Sequence, residues 1–593
     1  MTSAAAHLLS PVIAFHADRN LASAARASWV DEILLPALQL VERSPLLVVN
    51  LSISTAILEW LIDKDFHGAF RSLTALHQAG RIDLLLPFAD EPSSILSATD
   101  TAHHLEFSKR AFTTAGLKLR GGCSALFPNG EAGTAAKAGA AIIAAQRFLV
   151  TQSTTSPSWV GVSAGAQIFS LRPGAGPIEG RLDGTRALSL VAPLLSQSIS
   201  ANNLSILSQL EALSTGNVRP ILLADLAGFQ TATALELPPP APDQPRRGPR
   251  RQEIRQRFAA ATGQEHSASR SPAQRAHLEA AERFILMAES AFALESESLE
   301  ADRLFFEAVI SADVELDYYL HPDVDPTIGW VRPADAGAGR LAIDTQLARF
   351  LFLQDRHLLV EIDDKPRKIN LVPQGPVDGS SPALGFFLAS DADFQKGVGK
   401  RIAAPTTGNT PALLRSSPDV ATLRLQPPVE IATAEKSKPA DVQVTIDFSA
   451  RSGVGAHLTN STTGFTVEYW VDAEAAPKGV YAVIELSLVI PSTSGVATTL
   501  KPLTSVGGVS ALRFPGDARV SLTTANVEGG LHGVRLIDGI DSYVVDLRSA
   551  KPLNAVEVLP LGKNADGLII RLALDAARIY GDEKLNSLFV SIL

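Results

Sequence analysis

Cysteine is nearly absent: Cys123 is the single one in 593 residues. An intramolecular disulfide is therefore excluded, and a reducing compartment suits the chain. Charge is also low, at 19%, with a net value of −10 that repels polyanions and argues against general nucleic-acid binding. No apolar run approaches the ~20 residues that span a bilayer. The N-terminal Met-Thr-Ser-Ala-Ala-Ala-His-Leu-Leu-Ser-Pro has neither a basic start nor an apolar core, so it does not read as a signal peptide. A cytoplasmic protein is expected. Aromatics are sparse as well: the first tyrosines are Tyr318 and Tyr319, and tryptophan before them is confined to Trp29, Trp60 and Trp159. Sugar clefts use flat aromatic platforms, so this scarcity weighs against a long polysaccharide groove.

Apolar residues, at 46%, point to large globular cores. Over residues 1–237, short apolar runs alternate with helical patterns. Pro11–Phe15, Leu46–Leu51, Ile82–Phe88, a run from Leu119, Phe148–Thr151 and Val218–Ala224 read as strands. Leu21–Glu42, Ala56–Ala79, His103–Ala115 and Ala132–Ala145 read as helices between them. Such repetition implies parallel strands buried on both faces, in an open sheet or a barrel. Neither GxGxxG nor GxxxxGK[ST] follows any of these strands, so no nucleotide cofactor is expected.

Residues 238–275 carry Pro238-Pro239-Pro240 and then Arg246-Arg247 and Arg250-Arg251, which predicts a stiff, basic, solvated linker. It is either a plain linker or a docking segment for an acidic partner. A helical segment is expected over 276–310, with Leu278, Ala281, Phe284, Ile285, Ala288 and Phe292 on one side. From 311 to 593, alternating runs such as Val444–Phe448, Phe465–Val471 and Val480–Ile490 predict an antiparallel β-sandwich, with a loop-rich insertion near 372–442.

The order of local signatures resembles glycoside hydrolase family 57, of the α-amylase and 4-α-glucanotransferase type. Leu46–Leu61, LLVVNLSISTAILEWL, is similar to that family's strand followed by LLEWL. Gly80-Arg81-Ile82-Asp83-Leu84 leading to Glu91-Pro92 is similar to its G-x-V/I-E-I…GG-x-Y-E-P. Ala14-Phe15-His16 shares one histidine with its H-x-H-Q-P, and Asp225-Leu-Ala-Gly-Phe229 is faintly similar to its D-G-E-K-F-G. The resemblance covers about residues 8–235. It implies an α/β plus all-β chain: an incomplete (β/α) barrel, a short helical segment and a C-terminal β domain.

The same resemblance implies where a site would lie, and where it is broken. The family draws its nucleophile from E-R-x-W-E-P. Anchored on Pro128, that position is Cys123, with Ser124, Leu126 and Phe127 replacing the other functional residues. A thiol among apolar neighbours stays protonated and does not replace a carboxylate. Asp225 stands where the family has its acid, as a vestige, and no partner carboxylate is evident. Retaining glycoside hydrolysis requires two. His16 and Glu91 are candidate ligand-binding residues, and Glu131 is read as starting a helix.

No metal ligand set is expected. His103 and His104 are adjacent and diverge on a helix. Asp363-Asp364 and Asp313, Glu315 and Asp317 read as strand alternation or solvated turns ahead of a calcium site. Three functions stay open. The first is a non-catalytic, glycoside-hydrolase-like subunit of a larger assembly, with a protein partner or a second copy of itself. The second is an active α-glucan hydrolase or 4-α-glucanotransferase with relocated carboxylates. The third is an α-glucan-binding module, its site around Tyr469-Trp470.

Overall fold

The computed structural model describes residues 30–117, with gaps at 64–66, 88, 90–92 and 94, and residues 247–322, with a gap at 266–269. It also describes strand segments between 8 and 15 and between 124 and 220, and, from 330 to 592, the strands and their shorter connections. Residues 128–147, 197–218, 223–246, 396–411 and 450–462, among others, lie outside the description. The chain forms two compact units, 1–244 with 286–297, and 245–285 with 298–593.

In the first unit an eight-stranded sheet is built from β1 (Val12–Phe15), β2 (Val49–Ile53), β3 (Ile82–Pro87), β4 (Ser124–Phe127), β5 (Phe148–Gln152), β6 (Trp159–Ser163), β7 (Ala166–Leu171) and β8 (Leu194–Ser196). Its order is β8-β1-β2-β3-β4-β5-β7-β6, parallel except for the β6–β7 hairpin. Helices α1 (Leu35–Arg43), α2 (Thr55–Asp63), α3 (His67–Gln78) and α4 (Ala98–Thr114) connect the early strands. All four send apolar side chains into one cluster with Val49, Leu51, Ile53, Ile82, Leu84 and Leu86. Because side chains alternate along a strand, the other face carries Asn50, Ser52, Asp83 and Leu85, all buried. Asn50 and Asp83 are partners in register. Helices cover one face and a buried polar row lies on the other; among the described residues the ladder is open and no closed barrel is formed.

Local sequence sets the turns. Ser97 caps α4 by accepting from the Asp100 amide. Gly80 and Gly116, both at φ +74°, end α3 and α4, and in each case the next amide reaches back to the helix, Arg81 to Leu76 and Leu117 to Phe112. This left-handed stop favours glycine. The Arg81 side chain then ties the preceding connection by donating to the carbonyls of Val41, at 2.7 Å, and of Leu47.

The second unit opens with α5 (Arg247–Glu265), α6 (Pro272–Ala288, whose last residues belong to the first unit) and α7 (Leu299–Leu320). The expected solvated linker is thus helical over Arg247–Glu265. Its inward side is made of arginines whose carboxylate partners are distant in sequence, so an apolar-periodicity reading misses it. β structure begins at Val331 rather than near 311, because Asp313 and Asp317 lie one helical turn apart on α7 and both face Arg257.

Two ten-stranded antiparallel sheets follow. The first contains β9 (Val331–Asp335), β10 (Arg340–Thr345), β11 (Ala348–Leu353), β12 (Leu358–Asp364), β13 (Leu384–Ser390), β14 (Val480–Val489), β15 (Val520–Thr523), β16 (Ala555–Pro560) and β17 (Gly567–Asp575), with Ile369–Asn370 beside β12. Its order is β9-β10-β11-β12-β13-β14-β17-β16-β15. The second sheet starts at the edge strand Ala412–Ser416, whose five residues are all exposed. The region near 372–442, expected as loops, supplies strands to both sheets. One apolar core joins the two, including Phe350, Phe352, Phe448, Phe465, Ile484 and Leu572. The sandwich follows from period-two alternation, as the sequence implies.

Candidate functional site

Ligands of parallel sheets bind beyond the C-terminal strand ends, where loops converge. His16, Glu91, Cys123, Asp225 and Glu131 all lie outside the described residues. In sequence, His16 follows the last residue of β1, and Glu91 comes four residues after the last residue of β3. Cys123 instead precedes the first residue of β4, and Pro128-Asn129-Gly130-Glu131 is the sequence that follows its last. Tyr469 and Trp470 sit on the strand Thr463–Asp472, opposite Val444 and Gln443, and their side chains are outside the description.

Described groups cluster past β2 and β3. Thr55 Oγ1 donates to the Ala89 carbonyl at 3.2 Å, joining the two loops. The Ser93 amide donates to the Glu289 carbonyl at 3.0 Å, and its hydroxyl donates to Glu295 Oε1 at 2.9 Å. Glu289 Oε2 lies 3.6 Å from His104 Nε2, and both side chains are fully buried. Neither ring nitrogen of His104 has a hydrogen bond among the described residues. Leu286, Ala89 and Phe107 pack beside them. Segment 286–297 therefore belongs to the first unit and brings the Glu295 carboxylate to Ser93 of the β3 loop and the Glu289 carboxylate to His104 of α4. A buried imidazole beside a carboxylate can hold or pass a proton. Sequence reasoning missed this pair: the available signal was a glutamate at the end of an apolar helix, Leu286-Met287-Ala288-Glu289. Trp60, within the LLEWL-like segment, is in the core.

The second unit holds a different cluster. Arg250 on α5 is fully buried and pairs with Asp313 on α7, with Glu361 at 3.2 Å and with Asp363 at 3.1 Å on β12. Arg349 on β11 pairs with Glu253 and, at 3.3 Å, with Glu361. Lys365 reaches Asp317 at 2.8 Å and Asp344 at 2.7 Å, with its ammonium 4.7 Å from the Trp330 ring centre. Burial works against the charge on Arg250, and Asp313, Glu253, Asp363 and Glu361 overcome it. Burial would raise Asp313, yet Arg250 and Arg257 hold it well below the usual carboxylate range. Asp363 is pushed up to about 8, by burial first and by Glu361 second, against Arg250, Arg349 and the Asn370 amide. Asp313, Asp317 and Asp363, weighed above as calcium ligands, face these cations. Among the described residues, no group of three His, Cys, Asp or Glu side chains could hold a metal ion.

No protein-family model and no curated protein matches the sequence. Solved structures do. The 4-alpha-glucanotransferase from Thermococcus litoralis covers 99% of this chain and 99% of its own, at 11% identity and a TM-score of 0.59. An alpha-mannosidase from Enterococcus faecalis covers 99% and 87% at 10% identity and a TM-score of 0.36. A GH57-type branching enzyme from Pyrococcus horikoshii covers 53% and 88% at 10% identity and a TM-score of 0.36. The first likeness is one of fold over the whole chain. The fold is glycoside-hydrolase-like. No helix among the described residues is long and apolar enough to cross a membrane.

Proposed function

We propose that this chain is a non-catalytic glycoside-hydrolase-like protein acting as a structural or binding subunit of a larger assembly in the cytoplasm. The observation that carries the reading is Cys123 at the position where the resembled family has its nucleophilic carboxylate. Full-length likeness of fold to a glucanotransferase supports the ancestry without supplying the chemistry. Asp225 then stands as a vestigial acid, while His16 and Glu91 remain as contacts for a ligand held at the same pole. The partner is another protein or a second copy of this chain. The test is incubation of purified full-length protein with maltooligosaccharides, together with a mass measurement in solution. Expected are no released or transferred glucose units and a mass above that of one chain. Turnover that disappears in Asp225→Asn would refute the proposal.

A second reading, an α-glucan hydrolase or 4-α-glucanotransferase with relocated carboxylates, is favoured by Glu289 beside His104 of α4. It requires that any turnover be lost in Glu289→Gln, with a second carboxyl group acting from about 5–9.5 Å away.

A further inference from the structure

The basic segment weighed above as a docking site is turned inward: Arg247, Arg250 and Arg251 are buried. Unpaired positive charge lies instead at one rim of the second sandwich sheet. The edge strand there, Ala412–Ser416, pairs with Val420–Leu425 and has no strand on its other side among the described residues. Such an edge presents unpaired amides and carbonyls to any chain that reaches it. Two other edges of the sandwich are guarded. β9 carries Pro333, which cannot donate, and the charged Asp335. The far edge of the second sheet, Leu512–Arg513, is only two residues long. Ala412–Ser416 has neither protection: its five residues include no proline and are exposed throughout.

Register sorts the side chains of this rim. Ala421, Leu423 and Leu425 belong to the sandwich core, so Val420, Thr422 and Arg424 point outward. Leu413 lies opposite Leu423, on the core side of the sheet, yet it is 41% exposed. Arg415 lies opposite Thr422, which places it on the outward face with Arg424. A register shift between Leu413 and Arg415 leaves Leu414 without a partner residue and 46% exposed. Arg415 and Arg424 are both exposed, and neither meets a carboxylate among the described residues. Asp447, in the same row as Arg415 and Thr422, accepts from the Thr422 hydroxyl instead.

We infer that this edge takes up an extended acidic segment of another protein as an added strand. Main-chain hydrogen bonds supply the affinity, and the two faces of the rim supply the selection. Leu413 calls for apolar residues on the core side, and Arg415 with Arg424 calls for carboxylates on the outward side. The incoming strand therefore alternates apolar and acidic residues. A second copy of this chain is the poorer occupant, because pairing two such edges about a two-fold axis crowds four guanidiniums onto one face. The inference goes beyond the function proposed above and holds whether or not the chain is catalytic.

Fluorescence anisotropy on the full chain tests it with three labelled peptides. The first is Glu-Val-Glu-Val-Glu-Val-Glu, the second replaces each glutamate by lysine, and the third replaces the central valine of the first by proline. The acidic peptide should bind about tenfold or more tightly than the lysine peptide, and the proline peptide should not bind. The double variant Arg415→Glu with Arg424→Glu should reverse the preference between the first two. Leu414→Pro should abolish binding of either. Both arginines are exposed, so the double variant remains decisive if Leu414→Pro unfolds the domain by circular dichroism. Equal binding of the acidic and lysine peptides, binding unchanged in the double variant, or no binding at all overturns the inference. So does a two-chain mass that falls to one chain in Leu414→Pro, which would give the edge to a second copy.

Discussion

Arg250 Nη2 lies 3.1 Å from Asp363 Oδ2, a contact between α5 and β12 that spans 113 residues of sequence. The arginine is fully buried and has Asp313, Glu253 and Glu361 as further partners. This contact joins the helices to the outward face of the sandwich through charge, where apolar packing would be usual.

Truncation of that arginine should be severe. Arg250→Ala leaves buried carboxylates without their cation, and a loss of about 3–5 kcal/mol is expected. Urea denaturation followed by fluorescence measures it. A change below about 1 kcal/mol would show that the cluster is dispensable.

The same cluster gives two opposite pH dependences. Asp363 has a folded value raised to about 8 from 3.8. Its contribution is fully present below 3.8 and is lost as pH rises through about 8. Asp363→Asn should therefore gain on the wild type in melting temperature between about pH 4 and 8 and hold a constant difference above that. Asp313 is shifted the other way, so its contribution is present above the ordinary carboxylate value and lost in acid. Asp313→Asn should be most damaging near neutrality and converge on the wild type as pH falls. Parallel melting curves across pH for either variant would contradict the assignment.

Two glycines separate steric crowding from backbone strain. Gly533, at φ +151°, follows a register shift in the second sheet, and an added Cβ would run into the Leu547 carbonyl. Gly533→Ala should cost more than about 2 kcal/mol. Gly337, at φ +71°, has nothing within 4 Å of the same atom. Gly337→Ala should cost only left-handed strain, about 1 kcal/mol. Equal effects in chemical denaturation would contradict this account.

Much of the fold was legible because burial of apolar side chains imposes a period. Ile82–Pro87 and Val480–Val489 are found where apolar runs predicted them. What escaped was built on charge. α5 has few apolar residues on its buried side, and Asp313, Glu315 and Asp317 alternate as a strand would while riding on a helix. Nor does local sequence reveal that Glu289 meets His104, since the two are brought together by tertiary contact alone. The residues proposed for the glycosidase-like pole lie outside the described part, so their reading still rests on the resemblance.

The first unit is completed by residues 286–297, which follow two helical stretches belonging mostly to the second. During synthesis, its sheet emerges from the ribosome long before the carboxylate that faces His104. A chain stopped at Gln244 would lack Glu289, the residue that faces His104, and the rest of segment 286–297. No single cleavage frees either piece, because the polypeptide passes between them at 244–245, 285–286 and 297–298. Their biogenesis is therefore shared.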